Sequence, residues 1–281
     1  MKRFHSYLAG FAVSLSFLCS VAHAASKPAL TVKLIPWRTR WVLPVSVGGA
    51  ERKLLFDTGG GLTLLSPDAL KGCDAWGRLT GFRMFGDRGD TKRCSNIRIG
   101  VSDYSVVLPA VGFINLGKLN PGDADLDGIA SLNLFDGKPV TIDFLNGQLT
   151  VESPESLAER TKGMRHLKAR LNREVQGLAL SVMLEVPTSK GPAYMELDSG
   201  NGGTVLVGKQ VAELFGLDPA KEAKQTAHFS VVPGVDVDTE DAFTPDIILD
   251  GNLGMPFLKR WVVTLDLKTG DVWVAAAKRP S

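Results

Sequence analysis

Residues 41–47 (WVLPVSV) alternate apolar positions with small or polar ones, and Gly48-Gly49 then turns the chain into a second apolar run, KLLF at 53–56. The pattern predicts a β-hairpin that delivers the chain directly to Asp57. Residues 140–144 (VTIDF), Asn146-Gly147 and 148–151 (QLTV) read as another hairpin with a strong turn signal. Residues 262–267, Thr269-Gly270 and 271–274 repeat that shape. Short helices are expected at 67–71 and 209–215. Between 153 and 176 the character changes. Arg160, Lys162, Arg165, Lys168, Arg170 and Arg173 stand against Glu155, Glu159 and Glu174, and Ser153-Pro154 suit the cap and first position of a helix. This stretch is expected to be a solvated, partly helical linker, the alternative being a docking surface for an acidic partner.

The chain also repeats itself. KLLFDTGGGLTLL at 53–65 matches YMELDSGNGGTVL at 194–206, with Asp57 on Asp198 at an offset of 141. DGIASLNLFDGKPVTIDFLNGQLTV at 127–151 matches DGNLGMPFLKRWVVTLDLKTGDVWV at 250–274 at an offset of 123. Both blocks recur in the same order, which points to two homologous halves. The first half is longer between its blocks, and Cys73 and Cys94 lie inside that longer interval. The expected division is 25–152, the linker 153–176, and 177–281.

Residues 1–24 stand apart. Lys2 and Arg3 precede an uncharged run, 8–22, and Ala22-His23-Ala24 places small residues where a signal peptidase reads. A secretory signal peptide cut after Ala24 is expected. The alternative is an uncleaved anchor, for which the run is shorter than the ~20 residues a span needs. No stable membrane span is expected after processing. The protein is expected to be exported, to a bacterial periplasm or secreted.

Composition narrows the function classes. Of 281 residues 44% are hydrophobic and 22% charged, as in globular chains, so disorder is excluded. The 30 glycines and 15 prolines fit many turns and short strands. Loss of Lys2 and Arg3 with the leader lowers Lys+Arg from 32 to 30, equal to the 30 Asp+Glu. A neutral mature chain argues against nucleic-acid binding. Of the three cysteines, Cys73 and Cys94 remain after cleavage, and in an oxidising compartment they are expected to form one disulfide. Two histidines remain, His166 and His228, neither in a metal-ligand motif, so no metal and no cofactor is expected.

The candidate chemistry lies in Asp57-Thr58-Gly59 and Asp198-Ser199-Gly200. Each triplet follows an apolar run, precedes a Gly-rich turn and occupies an equivalent place in the repeat. Singly, such a triplet reads as an Asx turn at a strand end. If the halves pack about a pseudo-twofold axis, the two carboxylates meet. They cannot both ionise easily, so one keeps a proton while the other acts as base toward a water. Gly59 and Gly200 permit the tight turn, and Thr58 and Ser199 are placed to hydrogen-bond across the axis.

With these residues the chain resembles the pepsin-like and retropepsin-like aspartic proteases over about 41–274. The resemblance implies an all-β, bilobal fold with one Asp-Thr/Ser-Gly loop per lobe. It also implies an aspartic endopeptidase with Asp57 and Asp198 as catalytic residues, a peptide or protein substrate, and no cofactor. Ile129-Ala130-Ser131 and Asn252-Leu253-Gly254 take the place of the apolar pair and Gly that lie behind each catalytic Asp in that family. The halves are nearer in size to a retropepsin subunit than to a pepsin lobe, which suggests a fused, compact, monomeric version. Gly60 and Asn201 depart from the Ser, Thr or Ala that usually follows the triplet. Phe82 and Phe85, in a Gly-rich stretch, suit the tip of a substrate-covering flap, or else ordinary packing under a disulfide loop.

Rival readings are weaker. The segment 203–210 nearly matches a phosphate-binding loop but has Gln210 where Ser or Thr is needed. Asp123, Asp125 and Asp127-Gly128 begin like a calcium loop, whose twelfth position is Leu134. A Ser/His/Asp hydrolase would need His166 or His228 as base. The non-enzymatic alternative is a catalytically silent protein of the same fold that binds peptides or inhibits other enzymes.

Overall fold

The computed structural model describes residues 27–279; the expected leader, 1–24, lies outside them. Three antiparallel-rich sheets organise the chain. A ten-stranded sheet belongs to the first half and a seven-stranded sheet to the second. A six-stranded sheet joins them, with strands from both. The fold class is therefore all-β and bilobal.

The hairpin expected before Asp57 forms from Arg40–Val47 and Ala50–Phe56, turning at Gly48 and Gly49, both with positive φ. Its counterpart, Ser181–Thr188 with Gly191–Leu197, leads to Asp198. The repeat continues through the sheet pattern. Gly128–Ala130 runs parallel to Ala50–Phe56 and antiparallel to Leu64–Leu65. Gly251–Leu253 runs parallel to Gly191–Leu197 and antiparallel to Val205–Val207. At the end of each arrangement an aspartate N–H is fixed by the same bond: Asp57 N donates to Ala130 O (3.0 Å), and Asp198 N to Leu253 O (3.1 Å).

The two later hairpins build the joining sheet. Pro139–Asp143 with Gln148–Val151, and Trp261–Asp266 with Val272–Ala276, meet along Pro139–Asp143 and Trp261–Asp266. Thr141 faces Thr264 across that seam, Oγ1 to Oγ1 2.9 Å, with both side chains buried. The pair differs by the repeat offset of 123, so the pseudo-twofold axis runs between them. A continuous apolar core, including Phe56, Phe135, Phe144 and Phe257, spans both halves. Burial of that size is the main stabilising contribution to the fold.

The stretch 153–176, expected as a partly helical linker, is helical over Pro154–Arg160, where Ser153 and Ser156 cap each other reciprocally. Beyond that it is extended. Arg165–Leu167 pairs with Val272–Ala276, and Ala169–Asn172 with Ser181–Thr188. Leu167 points inward while Arg165, Lys168 and Arg170 face solvent. The basic residues thus decorate edge strands, where charge discourages further pairing. Residues 67–71 are turns rather than the expected helix, because the chain reverses at Gly72 (φ +84) to bring Cys73 to Cys94. The helix expected at 209–215 shortens to a 3-10 turn, Ala212–Phe215, ended by Gly216 (φ +71). Among the described residues no helix is long and apolar enough to cross a membrane.

Candidate active site

The two Asp loops are locked by reciprocal hydrogen bonds. Thr58 N donates to Ser199 Oγ (3.1 Å) and Ser199 N to Thr58 Oγ1 (3.0 Å). Thr58 Oγ1 in turn donates to Leu197 O (2.7 Å), and Ser199 Oγ to Phe56 O (2.8 Å). Each hydroxyl therefore accepts from the opposite loop and donates to the strand that carries the opposite aspartate. All four bonds are buried, where each unmade partner would be costly.

This lock sets the two carboxyls against each other in hydrogen-bonding contact. The glycines are crossed. A Cβ on Gly59 would stand 2.7 Å from Asp198 Cγ, and one on Gly200 would stand 2.5 Å from Asp57 Cγ. Only glycine admits this approach. The surroundings of the two acids differ. Asp57 Oδ1 accepts from Gly59 N (3.1 Å). Asp198 Oδ1 accepts from Gly200 N (2.7 Å) and Asn201 N (3.2 Å), while its Oδ2 accepts from Asn252 Nδ2 (2.7 Å). The Asp57 carboxyl is held well above the usual carboxylate range, chiefly by loss of water around it and next by the negative charge of Asp198.

Gly60 and Asn201, the two departures from the resembled pattern, have local causes. A Cβ on Gly60 would meet Ser131 Oγ at 2.8 Å and Asp57 Oδ2 at 3.0 Å, so Ser131 already fills that space. Asn201 ties its own loop: Oδ1 accepts from Thr204 N and Oγ1, and Nδ2 donates to Asn252 Oδ1 (2.9 Å). The outer hydrogen bond to Asp198 thus comes from Asn252, one strand away.

A cleft of about 590 Å³ opens over the pair. Trp76–Phe82 and Arg88–Cys94 form a hairpin above it. Phe82 and Phe85 sit at its tip, 62% and 59% exposed, and both line the cleft. They do not pack under the disulfide; Cys73 and Cys94 are bonded at the far end of the hairpin. Met84 O at the tip accepts from Ile248 N of the second half (2.9 Å), so the hairpin bridges the cleft. Leu119 and Ile248 are further exposed apolar side chains in the same lining.

Other candidates lie elsewhere. His166 contacts Asp271 and Trp273 on the outer strands, His228 lies beside Asp238, and neither lines the cleft. Asp123 accepts from Arg40 and Trp37, and Asp127 from Arg52 and Lys53 N. Sequence reasoning missed one residue of the site, Glu196, and placed Asn252 behind Asp198 only as the counterpart of an apolar residue. Glu196 is 7% exposed, lines the cleft two residues before Asp198, and lies 3.5 Å from Asn252 Nδ2 through Oε2. Burial, and next the Asp198 charge, push its carboxyl up to about 8. Asn252 is fully buried. The available signal was a charged residue inside the apolar run YMELD.

No protein-family model and no curated sequence matches this chain. Solved structures do. The aspartic proteinase from Irpex lacteus is similar at TM-score 0.53 and 13% identity, over 88% of this chain and 97% of that one. Conglutin gamma, a basic 7S globulin from lupine seeds, is similar at TM-score 0.57 and 9% identity, over 90% and 96%. Basic 7S globulin from soybean is similar at TM-score 0.54 and 10% identity, over 89% and 94%. These likenesses show the pepsin-like bilobal fold, which serves a proteinase and seed globulins alike.

Proposed function

We propose that the chain is an exported, monomeric aspartic endopeptidase acting on peptide or protein substrates. The observation that carries this reading is the meeting of Asp57 and Asp198, each pressed against the other half's glycine and shut in by the Thr58–Ser199 lock. Three donors converge on Asp198, so the pair's negative charge is best held there, and the proton stays on Asp57. A water between them gives a proton to Asp198 as its oxygen attacks the peptide carbonyl carbon. Asp57 gives its proton to the carbonyl oxygen as negative charge develops there, so the intermediate is a gem-diol. Its collapse breaks the C–N bond: the leaving nitrogen takes the proton held by Asp198, and one gem-diol hydroxyl returns its proton to Asp57 as the carboxylic acid forms. The bridging hairpin and the apolar rim suit an extended chain. The disulfide fits an oxidising compartment.

The test is cleavage of a diverse peptide library by protein beginning at Ala25, from acid to neutral pH, beside Asp57→Asn and Asp198→Asn. Cleavage that disappears in both folded variants supports the proposal; near-full activity in either overturns it. A second reading, a silent peptide-binding protein, is favoured by one observation: Gly60 brings no side-chain donor to Asp57, and the Ser131 hydroxyl in that space donates to Leu62 O instead. Tight binding of peptides that survive unchanged would select it.

A further inference from the structure

The two halves line the cleft differently beside their aspartates. Leu55, two residues before Asp57, faces Ile129 across parallel strands, in an apolar cluster with Val42, Leu116 and Leu126. At the same offsets the second half faces Glu196 to Asn252. A carboxyl therefore occupies a nearly buried position where the first half carries a leucine. Among the described residues no Lys or Arg pairs with it. Its polar neighbours are Ser181 and Asn252, and the charges that act on it are those of Asp198 and Glu174, both negative. Ser181 and Glu174 line the cleft with it. Asp87 and Asp90 add further carboxyls to the lining, against the single guanidinium of Arg83 at the hairpin tip. The cleft is thus acidic in a chain whose mature charge is zero.

A buried acid with no cation of its own, opening on a ligand cleft, is costly for the free protein. The cost is offset when a ligand brings the cation. We propose that Glu196 floors a subsite on the Asp198 side of the cleft that takes a basic side chain, Lys or Arg, of the bound peptide, opposite an apolar wall at Ile129, which Leu55 backs from the core. The proposal rests on the peptide-substrate reading above. Ser181 and Glu174 complete the subsite, the first as a hydrogen-bond partner of Glu196 and the second as added negative charge near its mouth. Because the free Glu196 carboxyl keeps its proton near neutral pH, seating a cation there releases that proton.

The experiment compares a peptide set in which each position flanking the cleaved bond carries Lys, Arg, Met or Leu. The proteins are the wild type, Glu196→Gln, and Glu196→Leu, the residue of the first half. In the wild type one position should favour Lys or Arg over Met by at least about tenfold in kcat/KM. Glu196→Leu should reverse the preference, and Glu196→Gln should bring it near unity. Calorimetry in buffers of different ionisation enthalpy should show proton release with the Lys peptide and none with the Met peptide. Should no peptide be cleaved, the same set is read by binding to the wild type. A Lys or Arg preference abolished by Glu196→Leu then upholds the subsite while the protease reading falls. No basic preference at any position, a preference that survives Glu196→Leu in folded protein, or no binding at all overturns it.

Discussion

Glu196 and Asn252 face each other across two parallel strands at the position where the first half pairs Leu55 with Ile129. The substitution of a polar pair for an apolar one breaks the symmetry of an otherwise repeated site. It gives Asp198 a side-chain donor that Asp57 does not share, and it adds the nearly buried carboxyl of Glu196 to the wall of the cleft. The site is therefore asymmetric: three donors converge on Asp198, while the Asp57 carboxyl is held well above the usual carboxylate range.

Asn252→Leu tests that asymmetry. The amide donates 2.7 Å to Asp198 Oδ2 and its oxygen accepts from Asn201 Nδ2 at 2.9 Å. Leucine removes both partners without adding much volume. Stability should fall by about 1–3 kcal/mol, the cost of buried polar groups left unpaired. Turnover of any cleaved peptide should fall by about 10²-fold or more, the loss expected for a preorganised donor beside a reacting charge. The measurement is kcat on folded variant alongside a denaturation curve. Unchanged kcat would place the charge of the pair elsewhere.

Glu196 predicts a particular pH dependence of stability. Its carboxyl moves from an ordinary 4.5 to about 8 on folding. Between those values the folded chain keeps a proton that the unfolded chain has lost. Stability is therefore fully present below about pH 4.5 and declines as pH rises toward 8. At about 1.4 kcal/mol per unit the loss is on the order of 5 kcal/mol. Glu196→Gln cannot ionise and should remove this slope. The variant and the wild type should melt together near pH 5, and the variant should melt several degrees higher at pH 8. Parallel melting curves across that range would contradict the buried, unpaired state of the acid.

Much of the architecture was legible because each half states it separately. The hairpins at Gly48-Gly49, Asn146-Gly147 and Thr269-Gly270 follow from alternation and turn chemistry, which act locally. The meeting of Asp57 and Asp198 followed from the repeat, since equivalent loops in two packed halves must face each other. What escaped was set by packing between distant segments. Residues 165–172 carry too many charges to read as strand, yet their charges lie on the solvent side of sheet edges. Asn252 was legible only as the counterpart of an apolar residue behind Asp198; that its amide donates to Asp198 Oδ2 depends on a neighbouring strand distant in the chain. Gly60 departs from the resembled pattern, and the positions of Ser131 Oγ and the Asp57 carboxyl explain why no side chain fits there.

The Thr58–Ser199 lock should behave as one unit. Thr58→Ala leaves Ser199 N without its acceptor and Leu197 O without its donor; Ser199→Ala does the same to Thr58 N and Phe56 O. Each single substitution should cost about 2–4 kcal/mol, as two buried groups lose partners. The double variant should cost clearly less than the two together, because both substitutions disable the same loop contact. A double-mutant cycle by urea denaturation measures the coupling, expected at about 1–3 kcal/mol. Strict additivity would mean that the loops are held by other contacts.

The Cys73–Cys94 bond closes a loop of 21 residues that contains the whole bridging hairpin. Opening it by Cys73→Ala with Cys94→Ala frees the hairpin base in the unfolded chain and should cost about 3 kcal/mol by loop entropy. The consequence for the site is more selective than for the fold. The tip keeps its bond from Ile248 N to Met84 O, but the strands that aim Phe82 and Phe85 lose their anchor opposite the cleft. Peptide affinity should therefore weaken, with KM rising several-fold, while the Asp57–Asp198 chemistry keeps its kcat. Hydrogen exchange should rise over residues 76–94 and stay unchanged around the two aspartates. If exchange rises equally around Asp57 and Asp198, the disulfide supports the dyad loops themselves and not only the hairpin above them.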